Sequence, residues 1–156
     1  MQIYTDGSCL KNPGPGAWAY VVVHDDGTTC RWGSETTTTN NAMELTAIAE
    51  ALRYAISTGA SDTTVYSDSK YCINGITQWI PKWKTNSWLT SNNKPVKNKE
   101  LWQELDELNT QLTVVYRHVK GHSGDVYNTM ADTLANSAAS KLQQESTTCL
   151  QSAVAS

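Results

Sequence analysis

Four acidic side chains stand where a folding chain should avoid an unpaired charge. Asp6 closes a β-rich opening, Glu44 sits over the apolar stripe of a helix-patterned stretch, Asp68 follows a second strand-like segment, and Asp132 lies in an Ala-rich helical stretch. Removing an ionised carboxylate from water costs several kcal/mol unless a cation or good hydrogen bonds compensate. Clusters offering only oxygen suit Mg²⁺ or Mn²⁺. Each position alone has an ordinary explanation: a turn at Asp6-Gly7, a helix-dipole carboxylate at Glu44, a helix cap at Asp68, a surface residue at Asp132. One shared metal site accounts for all four together. A fifth candidate is His122, in the glycine-flanked loop Lys120-Gly121-His122-Ser123-Gly124. A histidine changes charge near working pH, which suits proton transfer to a leaving group or release of product.

The elements that must position these groups follow from periodicity. Strands are expected over residues 1–6, 17–23 and 28–35, with the turn-rich loop Asn12-Pro13-Gly14-Pro15-Gly16 between the first two and an Asp25-Asp26-Gly27 hairpin between the next. Helical spacing marks 41–56, preceded by a Thr-Asn run able to cap it, and again 69–76, 99–109 and 125–142; strands fall at 63–67 and 112–118. The order βββαβααβα implies an α/β fold with a mixed sheet, parallel neighbours arising from the helical crossovers. Asp6 and Asp68 then end adjacent strands at one edge, where such folds place sites. One domain over 1–142 is expected, with a Ser/Thr/Gln-rich tail at 143–156 that frays.

The chain of 156 residues carries a net charge of −3, which argues against a nucleic-acid partner until the distribution is considered. From Trp79 to Lys99 there are five lysines, Lys82, Lys84, Lys94, Lys97 and Lys99, interleaved with Trp79, Trp83 and Trp88 and free of acidic residues. That stretch is a basic, aromatic protrusion on an acidic protein. The cysteines Cys9, Cys30, Cys72 and Cys149 lack metal-finger spacing and are expected to be reduced. No membrane-length apolar run and no leader is visible, so a cytoplasmic address is expected.

Read in order, Tyr4-Thr5-Asp6-Gly7-Ser8-Cys9, the loop Asn12 to Gly16, Thr39-Asn40-Asn41-Ala42-Met43-Glu44-Leu45, Ser67-Asp68-Ser69-Lys70-Tyr71, and Val119-Lys120-Gly121-His122 with Ala131-Asp132 resemble the bacterial-type ribonuclease HI family, type 1 ribonuclease H, across residues 1–142. The resemblance implies a ribonuclease H-like fold: a five-stranded sheet, three strands antiparallel and the rest parallel, with a βββαβαβα core and helices on both faces. It implies an endonuclease cutting the RNA strand of an RNA–DNA hybrid, without sequence preference and as a monomer. Asp6, Glu44, Asp68 and Asp132 would hold two Mg²⁺, or Mn²⁺, that clamp the scissile phosphate and leave 5′-phosphate and 3′-hydroxyl ends. His122 would be the loop histidine. Cys9, Asn12, Asn40 and Asn41 resemble hybrid-groove contacts, Thr39 and Asn98 a phosphate-holding pair, and Lys70, Trp79, Lys82, Lys84, Lys94, Lys97 and Lys99 substrate-backbone contacts. Ala42 and Lys70 replace an arginine and a glutamine frequent in the family, and Asn86, Ser87, Leu89, Ser91 and Asn92 are neutral where relatives carry more cations, which predicts weaker, more salt-limited affinity. Two rival readings are a non-catalytic hybrid-binding module, which would need no acidic quartet, and a DNA-directed nuclease on the same fold.

Overall fold

The computed structural model describes the backbone of residues 1–120 and 125–155, with side chains up to residue 142. Its sheet has the strand order β3-β2-β1-β4-β5, formed by β1 (Gln2–Cys9), β2 (Gly14–His24), β3 (Gly27–Thr38), β4 (Asp62–Ser67) and β5 (Thr113–His118). β1, β2 and β3 pair antiparallel, whereas β4 runs parallel to β1 and β5 parallel to β4. Around it lie α1 (Asn40–Ser57), α2 (Lys70–Asn74), α3 (Ile80–Thr85), α4 (Lys99–Asn109) and α5 (Val126–Ala155). The mixed sheet with helices on both faces is the expected fold. No helix among the described residues is long and apolar enough to cross a membrane.

Period-two alternation sends successive β1 side chains to opposite faces. Ile3 packs with Tyr20, Val22, Ala51 and Ala55 toward α1, while Tyr4 packs with Val21 and Ala131 toward α5. The α1 side continues into the largest core, where Leu45, Ile48, Leu52, Val65, Trp102 and Leu105 are fully buried. Each such side chain contributes roughly 1.5–3 kcal/mol. Thr39 caps α1, its hydroxyl accepting from the Ala42 amide at 3.2 Å, a contact worth about 1 kcal/mol. Gly59, at φ +79°, closes the other end with the paired bonds Gly59 N to Ile56 O and Ala60 N to Ala55 O.

Several boundaries differ from the sequence reading, each for a physical reason. β1 does not turn at Gly7-Ser8 but runs to Cys9, paired with β2 through Cys9 and Gly16, so Asp6 is inside a strand and not at its end. Gly7 serves close packing: a Cβ there would lie 2.4 Å from the Glu44 amide nitrogen. The helix expected at 69–76 passes instead through a π-helical turn, Gly75–Trp79, straight into α3. Gly75 allows this because the Trp102 ring occupies the space where its Cβ would be. β2 and β3 are longer than expected, and α5 continues past residue 142 to Ala155.

Gly7→Ala is expected to lose more than about 2 kcal/mol of stability, because the added methyl meets helix backbone that cannot rotate away. Urea unfolding would measure it.

Candidate active site

Asp6, Glu44 and Asp68 arrive from β1, α1 and the β4–α2 junction, and each offers an oxygen within 4.8 Å of the others. The parallel register sets Thr5 beside Ser67, so the next residues, Asp6 and Asp68, leave neighbouring strands side by side. The close approach at Gly7 brings α1 against β1 and carries Glu44 to Asp6. Asp132 joins from α5 on the other face, and its charge adds to the upward push on the Asp6 carboxyl. It is not one of the three within 4.8 Å of one another.

The ordinary explanations for these acids do not fit the geometry. Glu44 is past the first turn of α1, which holds no acidic residue, so the helix dipole is not its reason for being there. Ser69, not Asp68, caps α2, accepting from the Cys72 amide at 3.2 Å. Asp6 is only 2 % exposed, and its Oδ1 accepts from the Gly7 amide at 2.9 Å. Asp6 Oδ2 and Glu44 Oε2 are buried with no donor among the described residues. Burial, followed by the nearby acidic charges, pushes the Asp6 carboxyl up to about 8, and burial together with the Asp6 charge holds Glu44 well above the carboxylate range. Without a cation, both carboxyls favour the protonated, uncharged form. A cluster of oxygen donors with two stranded oxygens fits a hard divalent ion.

Beside this cluster runs an open groove of about 1170 Å³. One wall has Asn12, Thr39 and Asn41; the other has Tyr71, Trp79, Trp83, Lys97 and Asn98. Groove and cluster share α1, with Asn41 one turn before Glu44. Asn12 Oδ1 accepts from the Asn40 amide at 3.2 Å, tying the β1–β2 loop to α1. Asn98, in the left-handed region at φ 59°, donates to the Tyr71 hydroxyl at 3.3 Å. The Cys9 thiol is directed at the Lys11, Gly14 and Thr38 carbonyls. Cys9, Cys30 and Cys72 are all free.

A family model described as RNase H matches residues 1–140, which include every one of the four acids. The chain belongs to the ribonuclease H family. It is 51 % identical to the ribonuclease H of Ehrlichia chaffeensis over 135 residues, covering 86 % of this chain and 91 % of that one. To the ribonuclease H of Treponema pallidum it is 44 % identical, over 96 % of each chain. Among solved structures it is similar to LC9-RNase H1, described as a type 1 RNase H with the type 2 active-site motif: TM-score 0.78, 32 % identity, 90 % of this chain and 72 % of that one.

Within this ribonuclease H family member the remaining predicted contact residues scatter. Lys70 is exposed at the start of α2, Lys82 is exposed on α3, Lys94 is exposed on the loop before α4, and Lys99 is half-buried at the start of α4. Lys84 is drawn to Asp106 on α4, Nζ to Oδ2 3.2 Å. Trp79, Trp83 and Trp88 pack against the main core, so the aromatic part of the protrusion is partly interior. His122 lies outside the described residues. Sequence reading assigned no role to Tyr71, or to Ser8 and Asn136, whose side chains bond to each other across the β1–α5 interface. The signal available was spacing: Asn136 is one helical turn after Asp132, and Ser8 is two residues after Asp6.

A carboxyl raised from its ordinary 3.8 to about 8 keeps a proton in the folded chain that the unfolded chain has lost. The protonated form's stabilisation is complete below about pH 4 and disappears as pH rises through 8, so metal-free stability should fall across that window. Asp6→Asn removes the Asp6 share of that dependence, leaving the part that comes from buried Glu44. At pH 8 in EDTA the variant should be more stable than wild type by over about 1.4 kcal/mol, the equivalent of one pH unit, with the gap nearly closed at pH 4. Urea midpoints at both values test this.

Proposed function

We propose that the chain is a metal-dependent endonuclease that hydrolyses the RNA strand of RNA–DNA hybrids, leaving 5′-phosphate and 3′-hydroxyl ends. The observation that carries this reading is the convergence of Asp6, Glu44 and Asp68, adjoined by Asp132, with an open groove of about 1170 Å³ lined by the Asn41 side of the same helix that carries Glu44. The family's name, ribonuclease H, supports the choice of strand. The intact acidic cluster disfavours a purely binding module.

Asp6, Glu44, Asp68 and Asp132 would hold two Mg²⁺, which when bound supply Lewis-acid activation of the attacking water and charge stabilisation for the departing 3′ oxygen. The chain's own residues do the rest. Buried Asp6 and Glu44, both raised, would have to be deprotonated to act as ligands, so metal loading would be coupled to proton release. The walls of the groove hold the hybrid alongside: Asn12, Asn40, Asn41 and Cys9 face its minor-groove side, where the 2′-hydroxyl distinguishes RNA from DNA, and Thr39 with Asn98 grips a phosphate. Lys94, Lys97 and the rest of the protrusion add sequence-independent attraction to the backbone. The phosphorus–O3′ bond breaks as water oxygen bonds to phosphorus, and His122, which resembles the family's loop histidine, would deliver the proton to the departing oxygen or help release product. Neutral residues in the protrusion and the Lys84–Asp106 pair lower the positive charge available to the substrate.

End-labelled RNA–DNA hybrid, duplex RNA, duplex DNA and single-stranded RNA, offered with and without Mg²⁺, test the reading. Only the RNA of the hybrid should be cut, only with metal, and Asp68→Asn should abolish cutting while hybrid binding persists; cleavage of duplex DNA, or near-normal cutting by the variant, refutes it. Replacing Lys94 and Lys97 by Ala should lower the log–log salt slope of binding by roughly 0.7–0.9 per lost phosphate contact, whereas Lys84→Ala should change it less.

A further inference from the structure

Asp6 and Asp132, on β1 and α5, have a second pair of side chains running parallel to them. Two residues along β1, on the same face, is Ser8; one turn along α5 is Asn136. The Ser8 hydroxyl, on a residue only 9 % exposed, donates to Asn136 Oδ1. Asn136 Nδ2 in turn donates to Asp132 Oδ1 at 3.2 Å. The relay has a direction. Ser8 needs an acceptor and the carboxylate needs a donor, and a primary amide supplies both from one planar group. It therefore fixes the amide's orientation and, through it, the carboxylate of Asp132.

The surroundings leave Asp132 in need of such a guide. α5 approaches the sheet along Ala131, Ala135 and Ala139, all fully buried, and is held by Tyr127 against Tyr4, whose ring stacks on Tyr66 at 4.3 Å. These contacts set the helix but not a half-exposed side chain at the edge of its buried stripe. Asp6 is anchored by the Gly7 amide, and Asp68 and Glu44 by the strand register and the Gly7 approach. Asp132 Oδ1 is held by the Asn136 amide. An Asn–Asp pair one turn apart on a bare helix surface is worth only about 0.2–0.5 kcal/mol, too little by itself to hold one rotamer. The bond from Ser8 converts it into a tether to the strand that carries Asp6.

We propose that Asn136, held by Ser8, is a positioning residue for the metal site: it presents Asp132 to the cation that Asp6, Glu44 and Asp68 would share. This rests on the reading of the acidic cluster as a cation site. Partners that orient a ligand typically change metal affinity by about 10–100-fold when removed.

The test is an NMR titration with Mg²⁺ in the absence of nucleic acid, following the Asp6 and Gly7 amides, alongside the Mg²⁺ dependence of hybrid cleavage. Asn136→Ala should raise the half-saturating Mg²⁺ concentration about tenfold in both, with KM for the hybrid unchanged and kcat largely recovered at excess Mg²⁺. Ser8→Ala should shift it in the same direction, the double variant should go no further than Asn136→Ala, and Ser8→Thr, which keeps the hydroxyl, should behave as wild type. An unshifted half-saturation in Asn136→Ala overturns the inference, as does an additive double variant. If Asn136→Ala does not fold, Ser8→Ala and Ser8→Thr decide the matter alone: a shift in the first and none in the second supports the relay, and any other pattern overturns it. Wild-type protein that binds Mg²⁺ but cuts no hybrid would sink the nuclease reading while leaving this inference to be judged on the titration.

Discussion

Like charges brought together out of water repel one another and lose their hydration, and a domain's whole margin of stability is only about 5–15 kcal/mol. The protein nonetheless buries Asp6 and Glu44 against each other with Asp68 and Asp132 alongside. In the absence of a cation the chain meets the difficulty by retaining a proton, as the upward displacement of both buried carboxyls indicates. The surrounding architecture follows from having to hold these groups together until something positive arrives. Position 7 has no side chain because α1 must come within backbone contact of β1. β4 is in parallel register with β1, which sets Asp68 beside Asp6. The α1 side carries the largest core, so the hydrophobic burial available to offset the repulsion is concentrated directly behind Glu44.

The same constraint separates what was legible in the sequence from what was not. The quartet could be read because each acid breaks a local rule: a charge in a β-rich run, on an apolar stripe, or in an alanine helix. The succession of strands and helices, and with it a mixed sheet, could be read because alternation and helical periodicity are strong in β1, α1 and α4. What escaped was close packing. Asp6-Gly7 has the composition of a turn, and only the approach of α1 shows that glycine is needed there for space and not for a bend. Gly75 is similar: a glycine in a helical run reads as a weak point, while the Trp102 ring makes it a requirement and a π-helical turn accommodates it. Pairings between distant polar residues also escaped. Nothing in the local sequence links Lys84 to Asp106, or Ser8 to Asn136 across 128 positions.

The Trp79–Lys99 segment shows two demands meeting in one stretch. Its tryptophans are drawn into a ring cluster with Tyr71 and Trp102, with successive centroids 5.3–6.4 Å apart. That cluster fixes the far wall of the groove. Left-handed backbone at Ser87, Trp88 and Asn93 folds the loop back so that the Val96 amide donates to the Trp88 carbonyl. Lys82, Lys84, Lys94 and Lys97 share the outward positions with neutral Thr, Asn and Ser side chains. A stretch that looks in sequence like one aromatic and basic binding surface is therefore a packed platform with a charged exterior, and the affinity it lends depends on the few lysines not spent on intramolecular pairs.

Rigidity and charge are distributed accordingly. The groove's polar residues are held by backbone: Asn12 by the Asn40 amide, Thr39 by its capping bond, Asn98 by a left-handed turn and the Tyr71 hydroxyl. Three of the acids are held by strand register and helix approach. Asp132 is the exception, since it reaches the cluster from a helix on the opposite face through a side chain with rotamer freedom. A cation between the two faces would link β1 and α5, so the energy of holding it depends on how well that one side chain is directed beforehand. Preorganisation of this kind lowers the ordering cost at the moment of binding without adding any contact to the ion. The α5 face of the sheet is thus where small changes in sequence can tune metal affinity while leaving the fold, and the three-acid core of the site, as they are.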